Sequence, residues 1–246
     1  MRHTLAWGAV LLLAGCGEEQ EEIHVAAASG LYHVLTDIGA SYEAETGTAV
    51  VFSFGATGQL TQQIEQGAAF ELFLAGEEEY VTRLEQGGFV SEGTGIAEGV
   101  VTLVSGTESA PYESVHTLLE EDLRTAIPNP EHAPYGRAAH DVLQAEGIWE
   151  ELSDSFIYAN DVRTSLQYVE SGEVDAGFAA LSLMQDSELP YIELDTALHE
   201  PIIQTAAIPV QSGKQEEAGQ FLDYLQSAEV QAVFQAYGFK PGENAS

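Results

Sequence analysis

The chain contains a single cysteine, Cys16, among its 246 residues. Without a second thiol it can form no internal disulfide and no metal site built from several thiolates. Basic side chains are also scarce, because seven lysines and arginines stand against 40 aspartates and glutamates, for a formal net charge of −33. A protein that binds nucleic acid needs a basic face. We therefore exclude nucleic acid as a partner and expect an acidic, hydrated surface.

Long apolar runs are missing too, apart from a short one near the N-terminus. That run extends from Leu5 to Ala14 and is too short to cross a membrane as a helix. It leads into the letters "LAGC", small residues typical of signal-peptide cleavage, with Cys16 last. We predict a lipoprotein signal peptide at residues 1–15, an acidic tether at residues 16–22, and a lipid on Cys16 that anchors the protein on the periplasmic or cell-surface side of a membrane. An ordinary secretory signal with an incidental cysteine is the alternative.

Short apolar strands alternate with amphipathic helices from Ile23 onward. The segments "IHVAAAS", "TAVVFSF" and "FELFLAG" have the composition of buried strands, and each precedes a helix with apolar residues at every third or fourth position. The first of these helices has one apolar face, made of Leu31, Val34, Leu35, Ile38 and Tyr42. The same alternation resumes at "GVVTLVSG". It predicts an α/β fold with parallel sheets and right-handed crossovers.

Four strand-to-helix turns combine features that suit an anion. They carry Ser29, Thr57, Tyr135 and Val162. In an open α/β sheet, ligands bind beyond the carboxyl ends of the strands, where such turns gather. A helix N-terminus presents unpaired N–H groups and a partial positive charge, and Ser29 and Thr57 add hydroxyl donors. The set predicts an oxyanion site, although each hydroxyl alone is most simply a helix cap, Tyr135 a packing aromatic and Asp161 the cap of its own helix.

Five stretches of the sequence, taken in order, are more specific than any single turn. They are "AAAS" before an amphipathic helix, "FSFGATGQLTQQIEQGAAFELFLAG", "NPEHAPYGRAA", "ANDVRTSLQYVESGEVDAGFAALS" and "FLDYLQSAEVQAVFQAYGF". Together they resemble the periplasmic molybdate-binding protein family, from about Ile23 to Phe239. The resemblance implies the two-lobed type II periplasmic-binding fold, in which each lobe is a mostly parallel sheet flanked by helices and the ligand binds in the cleft between the lobes.

The resemblance also implies a role for the protein. Members of that family capture an oxyanion and deliver it to an ABC importer, so the expected partners are molybdate or tungstate and the importer's permease and ATPase. We expect no cofactor, no catalytic activity and a monomer. Lobe 1 is expected at residues 23–98 and 201–246, and lobe 2 at residues 99–200.

The resemblance assigns the site residue by residue. Ser29 matches the family's serine in the first turn, Thr57 stands where members commonly have serine in the second turn, and Val162 matches a donor of a backbone N–H. Some members have a ligand-contacting tyrosine in a later strand, where this chain has Ala180. Tyr135, in "PYG", is expected to supply a phenolic hydroxyl from the other side. These residues would contact the oxygens of a metal oxyanion and would not ligate the metal itself.

Neutral donors suit a fully ionised oxyanion, because such an ion offers only acceptors. A monoprotonated phosphate also needs an acceptor from the protein. Sulfate obeys the same rule as molybdate, so sulfate, phosphonate or another oxyanion is the nearest alternative ligand. Asp161 weakens the argument if its carboxylate faces the cleft. Ferric-iron binders share the fold and use tyrosines, but the four turns offer a single phenol, Tyr135.

An enzyme on the same fold is an alternative of a different class, since a fold does not fix a function. Six histidines could supply a base: His24, His33, His116, His132, His140 and His199. None of them forms a nucleophile–base pair or a metal-binding spacing near the four turns. A ligand-sensing partner of a signalling receptor is a third class, which binding chemistry alone does not separate from a transporter component.

Overall fold

The computed structural model describes residues 21–106 and 110–242, which contain eleven strands and nine α-helices. The strands are β1 (Glu22–Ala28), β2 (Ala49–Gly55), β3 (Leu72–Ala75), β4 (Thr94–Gly99), β5 (Val101–Ser105), β6 (Thr125–Pro128), β7 (Ile157–Ala159), β8 (Ala176–Ala180), β9 (Tyr191–Glu193), β10 (Ile202–Ala207) and β11 (Lys240–Pro241). The helices are α1 (Tyr32–Thr46), α2 (Thr57–Glu65), α3 (Glu78–Gln86), α4 (Thr117–Glu120), α5 (Pro134–Ala145), α6 (Trp149–Leu152), α7 (Val162–Glu170), α8 (Gln215–Leu225) and α9 (Ala228–Ala236). Short 3-10 helices cover Ser29–Leu31, Leu181–Asp186 and Thr196–Leu198.

Two sheets divide the described residues into two lobes. Lobe 1 contains a six-stranded sheet in the order β11-β4-β10-β3-β1-β2, and lobe 2 contains a five-stranded sheet in the order β7-β6-β8-β5-β9. The chain leaves lobe 1 between β4 and β5 and returns before β10, which lies between β3 and β4. The two-lobed α/β fold expected from the sequence is confirmed. The expected residue boundaries of the lobes stay a prediction, which this division of the strands supports.

Both sheets are mixed, so the expectation of mostly parallel sheets is wrong. β1 pairs in parallel with β2 and β3, and β6 pairs in parallel with β7 and β8. β10 is antiparallel to β3 and β4, β11 is antiparallel to β4, and β5 is antiparallel to β8 and β9. Parallel pairing occurs where a helix connects two strands, because such a crossover returns the chain in the same direction. β5 and β10 instead enter their sheets from the other lobe, without that constraint.

The apolar face of α1 packs on the sheet of lobe 1 as its sequence predicts. Val34 and Leu35 are fully buried, and Ile38 and Tyr42 are at most 3% exposed. Burying each such side chain stabilises the fold by roughly 1.5–3 kcal/mol. This contact fixes the position of α1 on the sheet, so that its N-terminal end lies at the carboxyl end of β1.

Helices α5 and α7 pack on the sheet of lobe 2 in the same way. Val142 and Leu143 of α5 join Leu166 and Val169 of α7 in one core, with Phe178 of β8 fully buried among them. The two helices follow β6 and β7 along the chain, so their N-terminal ends lie at the carboxyl ends of those strands.

The N-terminal predictions fall almost entirely outside the described residues. This applies to the signal peptide at residues 1–15, to the lipid on Cys16 and to most of the tether. Glu22, the last residue of the predicted tether, already belongs to β1 and pairs with Ala49. Among the described residues, no helix is both long enough and apolar enough to cross a membrane.

Candidate functional site

One cavity lies between the two lobes, and all four residues predicted for the site line it. The space inside it that can hold a water-sized sphere is about 10 Å³. Lobe 1 contributes Ser29, which follows β1, and Thr57, which follows β2. Lobe 2 contributes Tyr135 in the first turn of α5 and Val162 at the start of α7. The other lining residues are Ala28, Gly30, Gly55, Ala56, Gly76, Ala133, Pro134 and Asp161.

Ser29 is not a helix cap. It is the first residue of the 3-10 helix that leads into α1, and the cap position belongs to Ala28, which has no side chain able to accept a hydrogen bond. Ser29 is 5% exposed, and its hydroxyl makes no hydrogen bond to another of the described residues. Because Ser29 lines the cavity, its hydroxyl is a candidate donor there.

Thr57 is the first residue of α2, and here too the cap position, Ala56, supplies no side-chain hydrogen bond. The backbone N–H of Gly76 donates to Thr57 Oγ1 at 3.1 Å. Because the hydroxyl oxygen already accepts this bond, its own proton is left for a second acceptor. Thr57 is 1% exposed, so that acceptor has to come from the cavity that the residue lines.

Tyr135 lines the cavity and has two groups that can donate a hydrogen bond. It is the second residue of α5, and Pro134 before it has no N–H, so the N–H of Tyr135 is the first that the helix presents. Ala133, at the cap position, makes no side-chain hydrogen bond to this helix end. The second donor is the phenol.

The phenol of Tyr135 extends to lobe 1. It packs against Gly30 and against Gly99, the last residue of β4, and its hydroxyl has no hydrogen-bond partner among the described residues. Burial raises the pKa of this phenol, so the phenol stays protonated and remains a donor. That the hydroxyl contacts a ligand stays a prediction.

Asp161 caps its own helix, as its sequence position indicates. Its Oδ1 accepts hydrogen bonds from the backbone N–H groups of Arg163 at 2.9 Å and Thr164 at 3.0 Å. This leaves the N–H of Val162, the first residue of α7, outside the capping arrangement. The one acidic residue of the lining is therefore engaged with its own helix, which removes much of the objection to an anion at this site.

Comparison with known proteins shows which family the chain belongs to. Residues 23–240 match the family model described as "Bacterial extracellular solute-binding protein". The chain is 33% identical to the molybdate-binding protein ModA of Azotobacter vinelandii, over 97% of this chain and 96% of that protein. The chain belongs to the periplasmic molybdate-binding protein family.

Two further comparisons agree with membership of this family. A putative ABC transporter substrate-binding lipoprotein of Bacillus subtilis, YvgL, is 30% identical, with 94% of each chain covered. The solved structure of the Azotobacter vinelandii periplasmic molybdate-binding protein has a TM-score of 0.83 at 28% sequence identity, and the match covers 88% of this chain and 98% of that one. The fold and the sequence thus lead to the same family.

The site has a favourable electrostatic environment for an anion, although no Lys or Arg lines it. Four helix N-termini converge on the cavity from both lobes, and each carries a partial positive charge. The candidate donors in the lining are hydroxyls and backbone N–H groups, a set that would fit an ion that can only accept hydrogen bonds. Among residues 21–106 and 110–242, no group of three or more His, Cys, Asp or Glu is placed to hold a metal ion directly.

The two lobes contact each other around the cavity. The N–H of Gly58 donates to the carbonyl of His132 at 3.0 Å. The side-chain amides of Gln59 and Asn160 exchange two hydrogen bonds, at 2.5 and 3.2 Å. These contacts join α2 of lobe 1 to the turns before α5 and α7 of lobe 2, so the described arrangement is a closed one.

One residue with a role in the site was missed in the sequence. Gly76 holds the hydroxyl of Thr57 in place through its N–H, and it also lines the cavity. Its signal was available, because Gly76 directly follows β3 in "FLAG", at the carboxyl end of a strand where ligands of open sheets bind. No helix start or hydroxyl marks it, and so it did not stand out.

Proposed function

We propose that this protein binds molybdate or tungstate outside the cytoplasm and delivers the ion to the permease and ATPase of an ABC importer. The observation that carries the proposal is the convergence of four helix starts, with neutral donors only, on one cavity between the lobes. Membership of a family whose named relatives bind molybdate supports this choice of ligand. No step of this function requires catalysis by the protein.

The donors proposed for the ion come from both lobes. Lobe 1 supplies the hydroxyls of Ser29 and Thr57, and lobe 2 supplies the N–H of Val162 together with the N–H or the hydroxyl of Tyr135. Because the ion bridges the two lobes, its hydrogen bonds favour the closed arrangement over an open one. Binding and closure are therefore one coupled event.

The proposed location follows from the N-terminus and the family. The short apolar run before Cys16 predicts export and lipid attachment. A similar chain from Bacillus subtilis is named as a lipoprotein, which supports the same attachment here. We propose a lipid-anchored monomer on the periplasmic or cell-surface side of a membrane.

Calorimetric titration of the protein with molybdate, tungstate, sulfate, phosphate and ferric ion tests the proposal. We expect one ion per chain for molybdate or tungstate, with an affinity at least about tenfold above that for phosphate, a difference of about 1.4 kcal/mol. Sulfate is the second candidate, because its donor requirements are the same and only its size differs. Binding of ferric ion alone, or of phosphate above molybdate, contradicts the proposal.

Gly58→Ala is expected to hold the lobes apart. A β-carbon on residue 58 would lie 2.8 Å from Cβ, 3.1 Å from Cα and 3.2 Å from the carbonyl oxygen of His132 across the cleft. Such overpacking costs about 1–3 kcal/mol. Because the clash exists only in the closed arrangement, we expect molybdate affinity to fall by about five- to 150-fold, with an unchanged unfolding temperature.

Gly213→Ala is the matched control for this prediction, since a β-carbon on residue 213 meets nothing within 4 Å. Titration calorimetry and thermal unfolding of both variants make the comparison. Equal molybdate affinity in Gly58→Ala and Gly213→Ala would show that the ligand-bound lobes do not approach as closely as they do here.

A further inference from the structure

Two of the four arginines in the described part of the chain, Arg137 and Arg163, reach across the cleft to lobe 1. Arg137 is the fourth residue of α5 and Arg163 is the second residue of α7. A cation near a helix N-terminus opposes the helix dipole, so neither arginine stabilises its own helix through that dipole. Their favourable contacts lie on the other lobe.

Arg137 contacts three side chains of lobe 1. Its guanidinium donates to Glu77, and it donates to Oε2 of Glu79 at 3.1 Å. The guanidinium carbon also lies 5.1 Å from the ring centroid of Tyr80, a distance at which a cation and an aromatic face attract each other. Glu79 and Tyr80 belong to the first turn of α3, and Glu77 directly precedes it.

The contact with Glu77 makes Arg137 important for closure. The Glu77 side chain is 23% exposed and that of Arg137 is 32% exposed. Burial raises the pKa of Glu77, and the charge of Arg137 offsets part of that rise. Enclosing the carboxylate of Glu77 is therefore costly unless Arg137 accompanies it. When the lobes separate, both groups return to water.

Arg163 makes its contact with a different helix of lobe 1. Its guanidinium carbon lies 3.5 Å from the ring centroid of Tyr32, the first residue of α1. Tyr32 follows the 3-10 helix that begins at Ser29, so this contact joins a lobe 2 helix to the segment that carries a proposed ligand donor. Neither arginine is among the residues that line the cavity.

We propose that Arg137 and Arg163 act as cross-cleft clasps that hold the lobes closed and thereby determine how slowly a bound oxyanion leaves. The identity of that oxyanion rests on the proposed function, but the closure of the lobes does not. The clasps are positioning residues, because they stabilise the closed arrangement without contacting the ion. In a chain with so few basic residues, half of the described arginines would serve this one motion.

Stopped-flow measurement of molybdate release tests the clasps. We expect Arg137→Gln to release molybdate about tenfold faster, because it leaves an enclosed carboxylate unpaired. Arg163→Gln should release it about threefold faster, through loss of the cation–π contact. The association rate should change little, since the ion enters the open form. Arg83→Gln is the matched control: it removes an Arg83–Glu65 pair of 2.7 and 2.8 Å that lies wholly within lobe 1.

A second substitution separates closure from general damage. Adding Glu77→Gln to Arg137→Gln removes the carboxylate that Arg137 accompanies, so we expect release to return to within about threefold of the wild-type rate. If the double variant releases molybdate as fast as Arg137→Gln alone, the account of the Glu77 contact is overturned. Equal acceleration by Arg83→Gln overturns the proposal as well.

Hydrogen exchange of the Gly58 N–H measures closure of the lobes in the absence of any ligand. That N–H donates to His132 across the cleft, so its exchange requires the lobes to part. We expect faster exchange in Arg137→Gln and Arg163→Gln than in wild type and Arg83→Gln, with no oxyanion added. If the exchange rates differ in this way but the wild-type protein does not bind molybdate, the role of the two arginines in closure is supported and the proposed function is wrong. The proposal is overturned if the Gly58 N–H exchanges at the wild-type rate in both variants. It is also overturned if the wild-type protein binds molybdate and both variants release it at the wild-type rate.

Discussion

Ser29→Ala and Thr57→Ala are each expected to weaken molybdate binding by about 1–3 kcal/mol, the value of one hydrogen bond to a charged group. The double variant should lose more than either single variant, because the two hydroxyls approach the cavity from different strands. Neither hydroxyl caps a helix, so the loss cannot be assigned to a frayed helix end. Titration calorimetry with molybdate measures all three affinities.

Controls for these variants come from the same chain. Thr57→Ser keeps the hydroxyl that accepts the Gly76 N–H, and it should retain most of the affinity. Ser165→Ala removes another buried serine hydroxyl, one that lies outside the cavity lining and has no hydrogen-bond partner among the described residues. We expect that change to leave affinity unaltered. Full affinity in the double Ser29 and Thr57 variant would contradict the proposed site.

Gly136→Ala is expected to give the largest loss of stability. A β-carbon on residue 136 would contact the carbonyl oxygen of Pro128 and would lie 2.7 Å from its carbonyl carbon and 3.1 Å from that of Asn129. These are backbone atoms at the carboxyl end of β6, which cannot rotate away as a side chain can. Overpacking of this kind costs about 3 kcal/mol or more, and the unfolding temperature should fall by about 6–12 °C.

The same substitution should also weaken oxyanion binding. Gly136 lies in the first turn of α5, next to Tyr135, so relief of the clash shifts the helix end that lines the cavity. Gly219→Ala, within α8, is the control, because a β-carbon there meets nothing within 4 Å. That change should stabilise the protein by up to about 1 kcal/mol, the helix propensity of alanine over glycine. An unchanged unfolding temperature in Gly136→Ala would show that α5 is less firmly seated than described.

The sequence was sufficient to predict the longer helices, such as α1, α5 and α7, and the meeting of the four turns, whereas the short helices α4 and α6 were not predicted. The periodic apolar face from Leu31 to Tyr42 is buried as expected, because α1 has a single sheet to pack on. Ser29, Thr57, Tyr135 and Val162 meet because strand–helix alternation brings the carboxyl ends of strands to one edge of each lobe. Local periodicity contains that information.

Features set by long-range pairing could not be predicted in the same way. β4, "TGIAEG", has two glycines and no apolar alternation, and it becomes a strand because β10 and β11 pair with it. The contact of Arg137 with Glu77 joins residues 60 positions apart in different lobes. The position of the Tyr135 phenol against Gly99 likewise depends on how the lobes meet. None of these partners is indicated by neighbouring residues.

The insertion of β10 between β3 and β4 ties the start of the chain to its end. The sheet of lobe 1 is complete only when the segment after residue 201 has arrived, whereas every strand of lobe 2 comes from one uninterrupted stretch. A growing or partly translocated polypeptide can therefore fold lobe 2 while lobe 1 still lacks β10, the strand that lies between β3 and β4. Truncation near the C-terminus would therefore destabilise lobe 1, the lobe whose first strands are synthesised earliest.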